Sequence, residues 1–192
     1  MSLSKVIGII SYLPDKDTTK RREGLLKNLI NFCTTYFKLP IIIIAQNWPK
    51  DLFADRKDIT IYRYDKPLTI VGARIKLREK FLESGYDYLI MLDDDCELTG
   101  TAEGCQKYLE FIDKNPDCWI ARHGSLLKLF AISKTCFKDV EYDDISLERG
   151  EGYEDTIFFA KIKKFHKNEY RCFPHEYNIN DHSRSAADFG ST

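Results

Sequence analysis

Apolar residues fall along this chain in two rhythms. Short unbroken runs, "KVIGIISYL" at 5–13 and "LPIIIIAQ" at 39–46, are rich in β-branched residues and read as buried strands. "DITIYRY" at 58–64 alternates, and "YDYLIML" at 86–92 is a fourth strand. Between them the spacing turns helical. Residues 14–37 carry Leu25, Leu26, Leu29, Ile30, Phe32 and Cys33 on one stripe, with Thr18 or Thr19 as the N-cap. Residues 70–85 place Ala73, Leu77 and Phe81 on one face, and Gly85 is expected to close that helix from the C′ position. Strand alternating with helix predicts a mostly parallel sheet with helices on both faces.

The second half changes rhythm. "TAEGCQKYLEFIDKNP" at 101–116 is an amphipathic helix stopped before Pro116. "CWIAR" and "LLKLFAIS" read as strands joined by a short "HGS" turn, hence antiparallel. "GYEDTIFFAKIKKFHKN" at 152–168 is a helix that opens on two acids, and "YRCF" is a last short strand. The tail, 178–192, is polar and reads as irregular. With no repeat and no linker, 1–192 is expected to be a single domain. Its halves would be 1–98, for nucleotide binding, and 99–192, for acceptor and catalysis.

Composition narrows the classes. Of 192 residues, 43% are apolar and 13% aromatic, which excludes a disordered chain. Lysine and arginine total 29 against 30 acids, so no electrostatic case for nucleic-acid binding arises. No apolar run approaches the roughly 20 residues of a membrane span. The chain turns into a strand-like segment at once, without a signal-peptide pattern. Six cysteines, none in a C-x-x-C pair, argue against structural zinc and for reduced core thiols in a cytoplasm.

The chemistry gathers in three places. The strand at 86–92 runs straight into Asp93, Asp94 and Asp95, and open α/β sheets bind ligands at the carboxyl ends of their strands. Alternation sends Asp93 and Asp95 to one side, where two carboxylates can hold a divalent cation; the plain alternative is a solvated acidic turn. In "RGEGYEDTIF", Glu154 and Asp155 fall in the first turn of a helix. The macrodipole favours acids there, and a carboxylate so held can also serve as general base for a substrate hydroxyl. His182, in "NDHSR", is an exposed tail residue or a third ligand for manganese or a similar ion, with His175 as its rival.

Basic and aromatic residues have two readings each. Arg21 and Arg22 lie near a helix start that would welcome an anion, Arg22 being the better candidate. Arg74, in "GAR", either contacts a nucleotide or pairs with Asp65, Asp93 or Asp94. Trp48 reads as a loop anchor before a stacking platform, Trp119 as core, and His123 as a turn residue.

Taken in order, "KRREGLLKNL", "YLIMLDDDCEL", "GEGYEDTIFF" and "DHSR" resemble the GT-A glycosyltransferases, in particular the family 2 enzymes. The C-terminal half is similar to the β-1,4-galactosyltransferase-like group. The resemblance implies a metal-dependent inverting glycosyltransferase that moves a sugar from a nucleotide-diphosphate donor, a UDP-sugar first, to an acceptor hydroxyl. The cofactor implied is manganese, with magnesium as the alternative. Asp95 and His182 would bind the metal, with Asp93 facing the donor and sharing the metal through water. Asp155 would be the general base and Glu154 an acceptor contact, with Asp94, Arg74 and Arg22 on the donor side. Tyr153 departs from the galactosyltransferase pattern, which has glycine there, so sugar and acceptor stay open. Peripheral membrane contact is compatible with a lipid-linked acceptor. Two competitors remain. A sugar-nucleotide nucleotidyltransferase normally carries a glycine-rich loop after its first strand, whereas "SYLPDKDTTKRRE" has no glycine before Gly24. A non-catalytic calcium- or sugar-binding module would have no use for the Glu154–Asp155 pair.

Overall fold

The computed structural model describes residues 2–13, 19–121, 129–143, 154–177 and 179–183. Its centre is a seven-stranded sheet built from β1 (Lys5–Tyr12), β2 (Ile41–Gln46), β3 (Ile59–Tyr64), β4 (Tyr88–Asp93), β6 (Trp119–Ala121), β7 (Phe130–Ser133) and β8 (Tyr170–Cys172). The strand order is β3-β2-β1-β4-β7-β6-β8. β1, β2, β3 and β4 are mutually parallel, β7 runs antiparallel to both β4 and β6, and β8 is parallel to β6. The antiparallel β6–β7 pair is the one expected from sequence; its connection, with His123, lies outside the described residues.

Five helices among the described residues cover the two faces. α1 (Thr19–Phe32), continued by a wider helical turn at Cys33–Phe37, and α3 (Ala102–Asp113) pack on one side. α2 (Ile70–Glu83), α4 (Lys134–Lys138) and α5 (Glu154–Phe165) pack on the other. The core divides accordingly. Ile7, Ile9, Ile43, Ile90 and Leu92 meet Leu26, Leu29, Tyr108 and Ile112, while Val6, Ile42, Ile44, Leu89 and Met91 meet Leu77, Phe81, Phe137 and Phe158. Burial on both faces is why these strands are unbroken apolar runs rather than alternating ones. None of the described helices is long and apolar enough to cross a membrane. All six cysteines are free thiols, and Cys172 alone among them is exposed.

Local chemistry sets the helix ends. Thr69 and Thr101 cap α2 and α3, each accepting from the backbone N–H three residues on, Gly72 and Gly104. Two expectations fail. Gly85 does not close α2 in a left-handed conformation. Ser84 closes it instead, in an extended conformation, with its N–H and its hydroxyl both donating to the Phe81 carbonyl. Nor is the tail wholly irregular: β9 (Asn180–Ser183) pairs antiparallel with β5 (Cys96–Thr99), a second strand missed in sequence because four residues carry too little periodicity.

The first turn of α3 sits against the short 3₁₀ turn His175–Tyr177 that leads towards β9. A Cβ at Gly104 would run into the Tyr177 carbonyl oxygen, whereas one at Gly24, mid-α1, would meet nothing. Gly104→Ala should therefore lower stability by about 1–3 kcal/mol through overpacking. Gly24→Ala should raise it by about 0.5–1 kcal/mol through helix propensity. Urea unfolding of the two variants checks the opposed signs.

Candidate active site

The order of the parallel strands creates the site. The chain leaves β1 for β2 and β3 on one side, then returns to place β4 on the other, so the connections diverge at the carboxyl ends of β1 and β4. Such a switch point leaves a crevice. Here it is a cleft of about 550 Å³, lined by Ser11, Tyr12, Arg22, Gln46, Pro67–Ile70, Arg74, Asp93–Asp95 and Asp155. That is the size range of small-molecule sites.

The three aspartates part company. Asp93 is the last residue of β4, in register with Ile10, and points towards α2, where its Oδ1 lies 3.5 Å from Arg74 Nη2. Asp94 turns to the α1 side. Ser11 Oγ donates to its Oδ2 at 2.7 Å, and the Trp48 indole N–H donates to that same Ser11 oxygen at 3.2 Å. The opposite orientation of Asp93 and Asp94 agrees with strand alternation. The strand stops at Asp93, however, and Asp94–Asp95 form a turn, so alternation no longer governs Asp95, which lines the cleft.

Burial pushes the Asp94 carboxyl up to about 6, and the neighbouring Asp95 and Asp93 charges add to it; the Ser11 hydrogen bond and the positive charge of Arg22 oppose the rise. Arg22 lies in the first turns of α1 and donates through Nη1 to the Tyr12 carbonyl at 3.2 Å, which ties the helix start to the β1 exit. The Arg21 side chain and Thr18 lie outside the described residues.

Arg74 is 4% exposed. Besides Asp93 it ion-pairs through Nη1 with Asp155 Oδ1, in the first turn of α5. Asp93 was among the expected partners; Asp155 was not, because it lies 81 residues beyond Arg74 in sequence. Glu154 begins α5 as expected, and its side chain lies outside the described part, as does Tyr153. Trp48 is a loop anchor, packed on Phe53 with ring centroids 5.9 Å apart. Trp119 is core, its indole N–H donating to the His166 carbonyl at 2.7 Å.

Two cleft residues went unnoticed in sequence. Gln46, 4% exposed, accepts the Leu68 N–H at 2.6 Å and pins the β3–α2 connection against the end of β2. Ser11 links Trp48 to Asp94. The available signal was a polar residue at the carboxyl end of an otherwise apolar strand, "IIIIAQ" and "GIIS".

Carboxylate oxygens, the ligand type that hard divalent cations take, crowd one turn, and four acids and two arginines line the cleft. Among the described residues no three His, Cys, Asp or Glu side chains are already grouped as metal ligands. The β5–β9 pair sets His182 opposite Glu97 in backbone register, immediately after the aspartate turn. The side chains of His182 and His175 lie outside the described part.

No family model matches the chain, and no curated protein matches it by sequence. Solved structures do. S. aureus TarS 1–349 in complex with UDP-GlcNAc superposes with a TM-score of 0.64 at 10% identity, covering 96% of this chain and 60% of that one. The fold is that of the GT-A-like nucleotide-diphospho-sugar transferases. The glycosyltransferase GlyE of Streptococcus pneumoniae TIGR4 matches at 0.55 and 15% identity, over 92% of this chain and 46% of that one. A cytidylyltransferase from Leptospira borgpetersenii matches at 0.53 and 12%, over 92% and 77%. The chain thus spans about 60% of the TarS fragment.

The raised Asp94 carboxyl has a consequence for stability. Its native state holds the proton more tightly than the unfolded chain, whose carboxyl titrates near the ordinary 3.8. Its contribution is therefore complete below pH 3.8 and lost as pH rises through 6. Relative to Asp94→Asn, the wild type should lose stability over that window, by at most about 3 kcal/mol. Paired urea unfolding at pH 4.5 and 7 measures it; an equal change in unfolding free energy for both proteins would contradict the raised Asp94 carboxyl.

Proposed function

We propose that the protein is an inverting glycosyltransferase that uses a nucleotide-diphosphate sugar, a UDP-sugar first, and a divalent cation. The observation that carries this reading is the meeting of the Asp93–Asp95 turn and Asp155 in one cleft at the switch point of a GT-A-like sheet. The TarS complex with UDP-GlcNAc supports a UDP-sugar as the donor to test first. The lower match to the cytidylyltransferase, together with a β1 exit lacking a glycine-rich loop, ranks nucleotidyl transfer second.

Asp95 and His182 would hold the cation, manganese or in second place magnesium, and Asp93 would face the donor. Bound there, it would supply charge neutralisation for the diphosphate and Lewis acidity towards the leaving group. Arg22, at the start of α1, adds positive charge on the same side, and the α1 N-terminus favours the phosphates. Asp94, held by Ser11, keeps the turn in shape rather than reaching the donor. Gln46 fixes the Pro67–Thr69 wall against which the nucleoside rests.

Asp155 faces these groups from α5, and Glu154 beside it binds the acceptor. The acceptor O–H bond breaks with its proton passing to the Asp155 carboxylate. The freed oxygen bonds to the anomeric carbon from the face opposite the diphosphate, and the carbon–phosphate-oxygen bond breaks with its electrons on the leaving nucleoside diphosphate. One displacement inverts the anomeric centre.

A screen of nucleotide sugars for hydrolysis or transfer, with and without manganese, tests the reading. Calorimetry with UDP should show binding that needs the metal; failure of UDP and GDP with every divalent ion would overturn it. Asp155→Asn should lower transfer by about 10²- to 10⁴-fold and leave UDP binding intact. His182→Ala should weaken manganese binding, and unchanged affinity would remove His182 from the ligand set.

A further inference from the structure

Arg74 enters the site from underneath, on the second turn of α2, with Val71, Ala73 and Leu77 of the same helix buried behind it. It meets two carboxylates that come from opposite ends of the chain's logic: Asp93, on the donor side, and Asp155, on the acceptor side. Its near-complete burial and its double engagement leave it poorly placed to receive a phosphate. A donor would have to break both ion pairs to reach it.

We propose that Arg74 is a positioning residue, which fixes the Asp155 carboxylate relative to the end of β4 rather than binding the donor itself. The inference rests on Asp155 being the proton acceptor of the reading above. A guanidinium is planar and its two terminal nitrogens are a fixed distance apart, so gripping Asp93 with Nη2 and Asp155 with Nη1 sets the two acids in one geometry. The grip is also selective within the carboxylate. Asp155 Oδ1 faces the guanidinium and is sealed from solvent, while the side chain as a whole is 21% exposed. The exposure belongs to its other side-chain atoms. Thr69 caps α2 and holds the helix start, so the arginine is itself anchored.

Lysine at this position would keep the charge but offer a single ammonium on a flexible stem, which cannot hold both carboxylates at a fixed spacing. Arg74→Ala would take the guanidinium away from two partly buried acids and risks unfolding, so Arg74→Lys is the informative variant. Its kcat should fall about tenfold or more, since a misplaced base loses much of the 10²–10⁴ that general-base catalysis supplies. The donor KM and the calorimetric affinity for UDP with manganese should change by less than kcat does, as lysine keeps a charge beside Asp93 and no donor contact is removed. In a cycle with Asp155→Asn under single-turnover conditions, the double variant should be no slower than Asp155→Asn alone, because Arg74 then has no base left to position.

A fall in UDP affinity that tracks the fall in kcat would make Arg74 a donor ligand and overturn the inference. So would losses that multiply in the double variant. Either result, in an enzyme that Asp155→Asn silences, leaves the glycosyltransferase reading standing. Full activity of Asp155→Asn would instead overturn the base assignment and this inference with it.

Discussion

Four carboxylates in one crevice repel each other, and much of the site's architecture answers that repulsion. Asp93, Asp94, Asp95 and Asp155 line a single cleft. Each is handled differently. Asp93 and Asp155 share a buried guanidinium, and Asp94 takes a hydroxyl hydrogen bond and the field of Arg22. Asp95 stays partly exposed at the turn. Bringing like charges together in a half-buried place is unfavourable unless opposite charge arrives, so a protein that keeps such a cluster is built around a cationic guest or a fixed counter-ion. Arg74 is the fixed part.

The cluster sits where it does because the sheet admits it nowhere else. β1, β2 and β4 are buried on both faces over most of their length, and a carboxylate within them would lie in hydrocarbon. Polar groups can enter only where the strands end. The central strands show the same change at that boundary: Ser11 and Tyr12 on β1, Gln46 on β2, Asp93 on β4. Because these strands are parallel, their carboxyl ends share one edge. The in-register pairing of Ile10 with Asp93 and of Tyr12 with Gln46 delivers those groups to one crevice. Topology thus turns a one-dimensional pattern, an apolar run followed by a polar residue, into a three-dimensional site.

That pattern is also why much of the site was legible in sequence. The fold class followed from continuous apolar strands alternating with 3.6-period helices, and the acidic turn stood out because three charges closed the most central of those runs. Asp155 was found from its place at a helix start after glycines. Its partner was not, since an ion pair across β4, α2 and α5 leaves no trace in local spacing. Gly85 misled because glycine after a helix usually means a left-handed cap, and Ser84 met the same need with its hydroxyl. The Asn180–Ser183 strand was hidden for a different reason. Its residues are polar, and its pairing with Cys96–Thr99 is held by backbone hydrogen bonds, which any side chains permit.

That last pairing has a consequence for how the site closes. β5 begins one residue after the aspartate turn, so strand addition by the tail restrains the turn from its far side while β4 restrains it from the near side. Cys96 and Leu98 face the core and anchor β5, leaving the intervening Glu97 exposed and directly opposite His182. In an antiparallel pair, opposed residues share a face. The register therefore sets a histidine of β9 beside the strand that follows the acids. A ligand held by both the turn and the tail would add its binding energy to that ribbon. Donor binding and the β5–β9 pairing would then be linked through one backbone ladder.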